Sequence, residues 1–462
     1  MDFLKYIDEH KDEMIKDLAD LIAIDSVEDK PSMDAPFGKG PRDALLKFLE
    51  IGKRDGFEVD NVNNYAGDIT FGDGEEIVGV LAHVDVVPAG GDWDTNPFEL
   101  VNDGEFLQGR GTQDDKGPAI AAYYAMKALK DLNIPLKRKI RLILGTNEES
   151  GWGGINYYKQ HKKMPDFGFT PDAEFPAIFA EKGITIGTLF IPMNFEKSCV
   201  KAIKGGNAAN MVPDYCYIVV DRDVLSKEKM DLLKNRNLEI EEDSRGILIR
   251  AKGKSAHGST PEKGVNAISV LFENIEDIIP EYDVFYNFMK TYNSKFSHFV
   301  HGEGLGIDFK DDVSGLLNFN IGMINTVTFG IEFVLNMRYP LMDCSSEKIK
   351  LQLETALSDF NAEFKIISDT KPLYIDPKSQ LITVMMDAYR EYTNDYDAEA
   401  MVIGGGTYAK AMDNCVAFGA MFLDDDDRMH QKNERIRIDR LIDAAKIYLL
   451  ALYKLATQDK II

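Results

Sequence analysis

Between Glu75 and Val87 the sequence reads EEIVGVLAHVDVV, almost continuously apolar and closed by a histidine and an aspartate. A strand with one wet face alternates polar and apolar residues, so an unbroken apolar run fits a strand covered on both faces. Such a strand needs a sheet with helices on either side, and the flanking sequence provides them. Asp2 to Ile24 has the helical period, with Phe3, Ile7, Met14, Leu18 and Leu21 or Ile22 as its apolar stripe. Gly117 to Leu132 reads as a helix, Ile140 to Leu144 as a strand, the stretch after the glycine-rich turn at 151–154 as a helix, and Phe167 to Thr170 as a strand. The expected fold is therefore α/β, a mixed and mostly parallel sheet covered by helices. Right-handed crossovers would bring the loops after its strands to one edge.

The texture changes at Gly183. GITIGTLFIPM, CYIVVDRDVL and GILIRAKG read as strands, SKEKMDLLKN and VNAISVLFENIEDII as helices, the second a long one, and TVTFGIEFVLNMRYP as a further strand. Turn residues cluster in ISDTKPLYIDPKS. After them come a helix in LITVMMDAYREYT, a strand and glycine loop in EAMVIGGGTYAKAM, a strand in CVAFGAM and a closing helix in IDRLIDAAKIYLLALYKLA. Two strands cannot make a domain, so this last block should complete the first sheet. The expected organisation is a catalytic domain in two parts, 1–182 and 372–462, interrupted by a large inserted α+β domain at 183–371.

The charge balance, 53 Lys and Arg against 77 Asp and Glu for a net −24, argues against a nucleic-acid backbone or an anionic membrane surface as partner. No window approaches the roughly 20 apolar residues of a membrane span, and the acidic, amphipathic start does not read as a signal peptide. Cys199, Cys216, Cys344 and Cys415 show no CxxC spacing, which suits reduced thiols in a cytoplasmic protein.

Of the seven histidines, His10 and His161 lie in polar helical stretches, and His298 and His301 in SHFVHGEG have no carboxylate cluster beside them. His83 ends the apolar strand, and Asp85, two positions on, shares its face. That pair suits a metal-bound imidazole held by a carboxylate, although a buried histidine with a satisfied hydrogen bond explains the pair alone equally well. Asp114 and Asp115 in GRGTQDDKGP precede a helix, Glu148 and Glu149 in GTNEESGWGG follow a strand, and Asp172 in FTPDAE follows the next. Acids gathered at one sheet edge repel unless cations neutralise them, and two divalent ions sharing a carboxylate would do so. His430 in DDDDRMHQKNE follows the last strand, giving His83, Asp114, Glu149, Asp172 and His430 as ligands. Nitrogen and carboxylate donors without thiolate suit Zn2+, Mn2+ or Co2+.

HVDVVPAG, GRGTQDDKGP, TNEESG, PDAE and a late lone histidine, in this order, resemble the dinuclear metallopeptidases of family M20. That family includes acetylornithine deacetylase, succinyl-diaminopimelate desuccinylase, carboxypeptidase G and the peptidase V type dipeptidases. GGGTYAKAM and the size of the insertion resemble the peptidase V type, the carnosinase-like Xaa-His dipeptidases. The resemblance implies a zinc-exopeptidase-like catalytic domain with the insertion as a lid. It makes His83 and Asp172 ligands of one ion, Glu149 and His430 of the other, and Asp114 the bridge, with a cis link to Asp115. Asp85 would orient His83, and Glu148 would be the general base for a water shared by two Zn2+ or Mn2+ ions, with Co2+ as a substitute. In KSAHGSTPEKG, His257 would stabilise the oxyanion. Asn210, with Asn207 close by, would bind substrate. Arg338 and the backbone of Gly404, Gly405, Gly406 and Thr407 would hold its carboxylate. The implied activity is hydrolysis of dipeptides with a free N-terminal amine and a free C-terminal carboxylate, by a monomer. An N-acyl amino-acid deacylase would use the same metals. A non-catalytic small-ligand binder would have no need of Glu148.

Overall fold

A computed structural model describes residues 2–461 and contains two compact units. The first comprises Met1–Phe179, Tyr374–Met401 and Thr407–Ile462, and the second Ala180–Leu373 and Val402–Gly406.

In the first unit β1 (Glu58–Val62), β2 (Ala66–Phe71), β3 (Ile77–His83), β4 (Lys139–Gly145), β5 (Phe167–Thr170) and β6 (Cys415–Ala417) lie in the order β1-β2-β4-β3-β5-β6. β3 runs parallel to both β4 and β5, and β6 parallel to β5, while β1 and β2 are antiparallel additions at one edge. All seven residues of β3 are buried, as its unbroken apolar run requires. Its glycine has a packing reason: a Cβ on Gly79 would sit 2.6 Å from Pro165 Cγ, and one on its partner Gly168 would sit 2.0 Å from the Gly79 carbonyl oxygen. The helix Lys116–Asp131 is buried at every position from Lys116 to Leu129, so it is a core element covered on all sides and mostly apolar. Helix Ile438–Thr457 packs beside it, and Tyr448 stacks on Phe169 of β5. Fully burying one such side chain is worth about 1.5–3 kcal/mol. The mixed, mostly parallel sheet with helical cover expected from the sequence is therefore present, and so is an inserted α+β region. Because β3, β4, β5 and β6 are parallel, their C-terminal ends share one edge, and His83 lies level with Gly145 there.

The second unit holds an eight-stranded antiparallel sheet in the order Glu239–Asp243, Gly246–Lys252, Tyr215–Val220, Val200–Gly205, Asn318–Val327, Gly330–Tyr339, Gly183–Pro192, Glu363–Thr370. Strand Gly183–Pro192 alternates buried and half-buried residues along nearly its whole length. Its buried set joins Phe272, Phe288 and Phe333 in a core separate from that of the first unit.

Three local readings differ from the structure. The N-terminal helix is interrupted at His10, into Lys5–Glu9 and Lys11–Ile22. The helix expected in VNAISVLFENIEDII covers only Ala267–Asn274, and Ile275, Ile278 and Ile279 bury their side chains from a turn that ends at Pro280. TVTFGIEFVLNMRYP is the end of one strand and the whole of the next, because Thr328 and Phe329 turn the chain between the paired residues Val327 and Gly330. The structure adds the β1–β2 hairpin, whose turn is marked in the sequence by Asn63 and Asn64, both with positive φ (53° and 61°). Among the described residues no helix is long and apolar enough to cross a membrane.

Candidate two-metal active site

The edge formed by the ends of β3, β4 and β5 gathers His83, Asp85, Asp114, Asp115, Glu148, Glu149 and Asp172, and His430 joins them from the loop before the last helix. His83 Nε2 lies 3.0 Å from Asp114 Oδ1 and 3.7 Å from Asp172 Oδ2. His430 Nε2 lies 2.8 Å from Asp114 Oδ2 and 3.1 Å from Glu149 Oε2. Asp114 thus presents one oxygen to each histidine. Its bond to Asp115 is cis. Donor atoms of His83, Asp114 and Glu149 fall within 4.8 Å of one another, as do those of His83, Glu148 and Asp172.

The donor set fits divalent ions on the structure's own terms. His83 Nε2, Asp114 Oδ1 and Glu149 Oε1 are buried and make no hydrogen bond, although the first two are only 3.0 Å apart. Buried polar atoms are nearly always satisfied, so orphaned donors facing a common space mark a place for a cation. The titration behaviour agrees. Burial pushes the Glu148 carboxyl well above its ordinary value, with Asp172 and Glu149 adding repulsion and His83 opposing it. Burial and the charge of Asp114 raise Glu149 to about 7. Burial and the same charge raise Asp172. Burial opposes the charged form of His430, but its bonds to Asp114 and Glu149 prevail and lift it to about 11. Without ions the cluster stands by holding protons, in the positions where ions would supply the charge.

Asp85 reaches beyond the His83 ring. The His83 Nδ1 partner is the Asp85 carbonyl oxygen at 3.0 Å, with the carboxylate at 3.6 Å. The carboxylate instead accepts the main-chain N–H of Glu148 on Oδ1 and of Glu149 on Oδ2, each at 3.1 Å. Two residues had no role assigned from sequence. Asp115 Oδ2 accepts the main-chain N–H of His83 at 3.1 Å, and Trp152 Nε1 donates to Glu148 Oε1 at 3.0 Å. The tryptophan in GTNEESGWGG, four residues after the glutamate, was the available signal.

The remaining candidates lie elsewhere in the chain. In the second unit Met211 bridges His257, and Gly258 N donates to Asn210 O at 2.6 Å, so the Asn210 and His257 loops are neighbours. Asn207 Oδ1 accepts from Tyr215 Oη at 2.7 Å. Arg338 is buried, donating from Nε to Asn336 Oδ1 at 2.9 Å and from Nη1 to Gly404 O at 3.2 Å. Gly404, Gly405 and Gly406 belong to this unit, whereas Thr407 belongs to the first, where its Oγ1 accepts Ala409 N at 3.2 Å. His298 sits 2.9 Å from Glu273, His301 Nδ1 bonds Leu317 O at 2.7 Å, and neither belongs to a ligand cluster among the described residues.

Residues 79–454 match the model of Peptidase family M20/M25/M40. A protein of Staphylococcus aureus (strain bovine RF122 / ET3-1) named "Putative dipeptidase" is 40% identical over 480 residues, covering 98% of this chain and 99% of its own. Human carnosine dipeptidase 1 (16% identity, TM-score 0.61, 98% of each chain) shares the fold. So does the di-peptidase Dug1p of Saccharomyces cerevisiae (16% identity, TM-score 0.60, 99% of this chain and 98% of that one). With its orphaned histidine and carboxylate donors at the sheet edge, the chain belongs to peptidase family M20/M25/M40 and is a dinuclear metal-dependent peptidase.

Proposed function

We propose that the protein is a dipeptidase of the peptidase V type, cleaving dipeptides that keep a free amine and a free carboxylate. His83 and Asp172 would hold one Zn2+ or Mn2+ ion, Glu149 and His430 the other, and Asp114 both. Such a pair of ions supplies Lewis acidity and makes a water easier to deprotonate. Glu148 takes the water's proton and passes it to the leaving amine. Trp152 occupies its Oε1, so Oε2 carries the proton, and burial makes the carboxylate a stronger base than an exposed glutamate. Asp85 fixes the main chain of both glutamates. His257 donates to the oxygen where charge develops. Its Nδ1 lies 2.6 Å from Ser259 Oγ and 3.3 Å from Ser259 N, which holds the ring by that edge and leaves Nε2 for the substrate oxygen.

The observation that carries the substrate class is Arg338. Its guanidinium is buried and makes no ion pair among the described residues. Burial lowers its pKa to about 10, with the charge of Glu181 partly opposing. It therefore stays charged at neutral pH, and a buried fork without a direct ion pair suits a ligand carboxylate. Asn210 and the Gly404–Thr407 backbone would complete the grip. An N-acyl amino acid offers the same carboxylate, and the dipeptidase names of the relatives favour a free amine at the other end. The free thiols of Cys199, Cys216 and Cys415 are buried, which suits the reducing, cytoplasmic setting proposed here; that the protein acts as a monomer is part of the same proposal.

The test is to strip the metals, refill with Zn2+ or Mn2+, and compare dipeptides with N-acetylated amino acids. Dipeptide cleavage that disappears on stripping and returns on refilling supports the reading. Faster hydrolysis of N-acetylated amino acids would replace it with the deacylase.

A further inference from the structure

Glu434 is fully buried beside the candidate site, four residues after His430, and the mechanism above does not use it. Its Oε2 pairs with Arg110 Nη1 at 2.6 Å, and Arg110 is itself only 1% exposed. Its Oε1 accepts three main-chain N–H groups, those of Gly111 (3.0 Å), Gln113 (2.8 Å) and Asp114 (3.2 Å). Its carbonyl oxygen accepts Gly109 N at 3.0 Å. Arg110 reaches the other way, donating from Nη2 to Pro88 O at 3.3 Å and lying 5.2 Å from the centre of the Trp93 ring. Gln113 ties the same loops a second time, through Nε2 to Asp426 O and through Oε1 from Arg428 N, both 2.9 Å.

We infer that the Arg110–Glu434 pair, with Gln113 as its auxiliary, positions the two-ion site. It locks the loop carrying Asp114 to the loop carrying His430 and to the segment that follows His83 and Asp85. These are positioning residues: none needs to touch an ion or a substrate. A buried ion pair contributes little net stability compared with apolar packing, but it fixes geometry closely. Here that geometry is the main chain of the shared aspartate. When such supports are removed, ligands lose their preset orientation and metal affinity typically falls about 10–100-fold. The inference rests on the two-ion reading of the site and not on the choice of dipeptides as substrate.

The experiment titrates metal-stripped wild type and Glu434→Gln with Mn2+ by calorimetry, follows folding by circular dichroism, and records dipeptide hydrolysis against Mn2+ concentration. Glutamine keeps the shape but leaves Arg110 without its counter-charge, so Arg110→Met/Glu434→Gln, which removes both charges, is run in parallel. The expected result is a folded variant in which at least one ion binds about 10–100-fold more weakly. Activity should return as Mn2+ is raised, with KM at saturating Mn2+ close to that of wild type, a pattern that general loosening of the fold would not produce. Gln113→Leu should show a smaller loss in the same direction, and it decides the matter if neither pair variant folds. Unchanged affinities for both ions in a folded variant overturn the inference, whatever the melting temperature does. A wild type that binds two ions yet leaves dipeptides intact overturns the proposed substrate alone.

Discussion

Replacing Asp85 with asparagine changes one atom in the side chain and tests how the site is held. Each carboxylate oxygen of Asp85 accepts one main-chain N–H, from Glu148 and from Glu149, at 3.1 Å. Asparagine keeps one acceptor and turns an NH2 donor towards the other N–H. The loss is one hydrogen bond to a charged acceptor, about 1.5–3 kcal/mol. A second effect opposes it in metal-free protein. Asp114, Asp115, Glu148, Glu149 and Asp172 crowd the same edge, so removing a like charge relieves repulsion when no cation is present. With ions bound that relief vanishes, and the displaced Glu149 is a worse ligand. Asp85→Asn should therefore lower the melting temperature more in metal-loaded than in metal-stripped protein. By linkage the difference equals the loss in metal-binding free energy, about 1.4–2.7 kcal/mol for a 10–100-fold weaker site. The assay pairs calorimetric Mn2+ titration with melting curves in both states. Equal melting shifts with and without metal, together with unchanged affinity, would refute the reasoning and leave Asp85 as a plain structural bond.

Glu148→Gln should reduce turnover to background while both ions still bind, and elemental analysis beside kinetics checks it; loss of an ion would mean that Glu148 is a ligand. Arg338→Lys keeps the charge but loses the fork that meets Asn336 and Gly404. It should cost roughly 2–5 kcal/mol of transition-state binding, some tens-fold to a few thousand-fold in kcat/KM, for a dipeptide and much less for its C-terminal amide, and equal losses would rule out a carboxylate clamp. Metal binding should release protons. Below its raised pKa of about 11 the metal-free His430 is protonated, and Glu149, raised to about 7, is partly so at neutral pH. Affinity should therefore rise with pH between 6 and 8. Titration heats should vary with the buffer's ionisation enthalpy, and buffer-independent heats would contradict this.

Much of the candidate site was legible because His83 ends an apolar strand, Glu149 and Asp172 follow apolar strands and Asp114 precedes a buried helix, and parallel strands deliver their ends to one edge. What the sequence concealed are pairings between distant segments. Glu434 in HQKNERIR looks like one more surface charge, and only the fold shows it buried against Arg110 more than 300 positions earlier. The Asp85 carboxylate could be expected near His83, but its bonds to the Glu148 and Glu149 amides depend on how the loop after β4 turns. The glycine loop reads as part of the last segment, while Val402–Gly406 pack with the inserted unit. Turns inside apolar stretches were hidden for a simpler reason. Thr328 and Phe329 are as strand-like as their neighbours, so composition does not mark where the chain reverses.

The split layout of the first unit sets an order on synthesis. The inserted unit is nearly contiguous, Ala180–Leu373, and can gather most of its own core as soon as it leaves the ribosome. The first unit cannot. Its N-terminal portion emerges first with helix Lys116–Asp131, buried on every side in the finished protein, still lacking helix Ile438–Thr457 beside it, and with β5 lacking β6. For most of translation an apolar sheet edge and helix face remain open, a state prone to aggregation and to capture by chaperones. His430 emerges only after the whole inserted unit, so a nascent chain that stops before it lacks that candidate ligand and the lock around it. Hydrolytic capability thus waits on the second part of the first unit, after the inserted unit has been made.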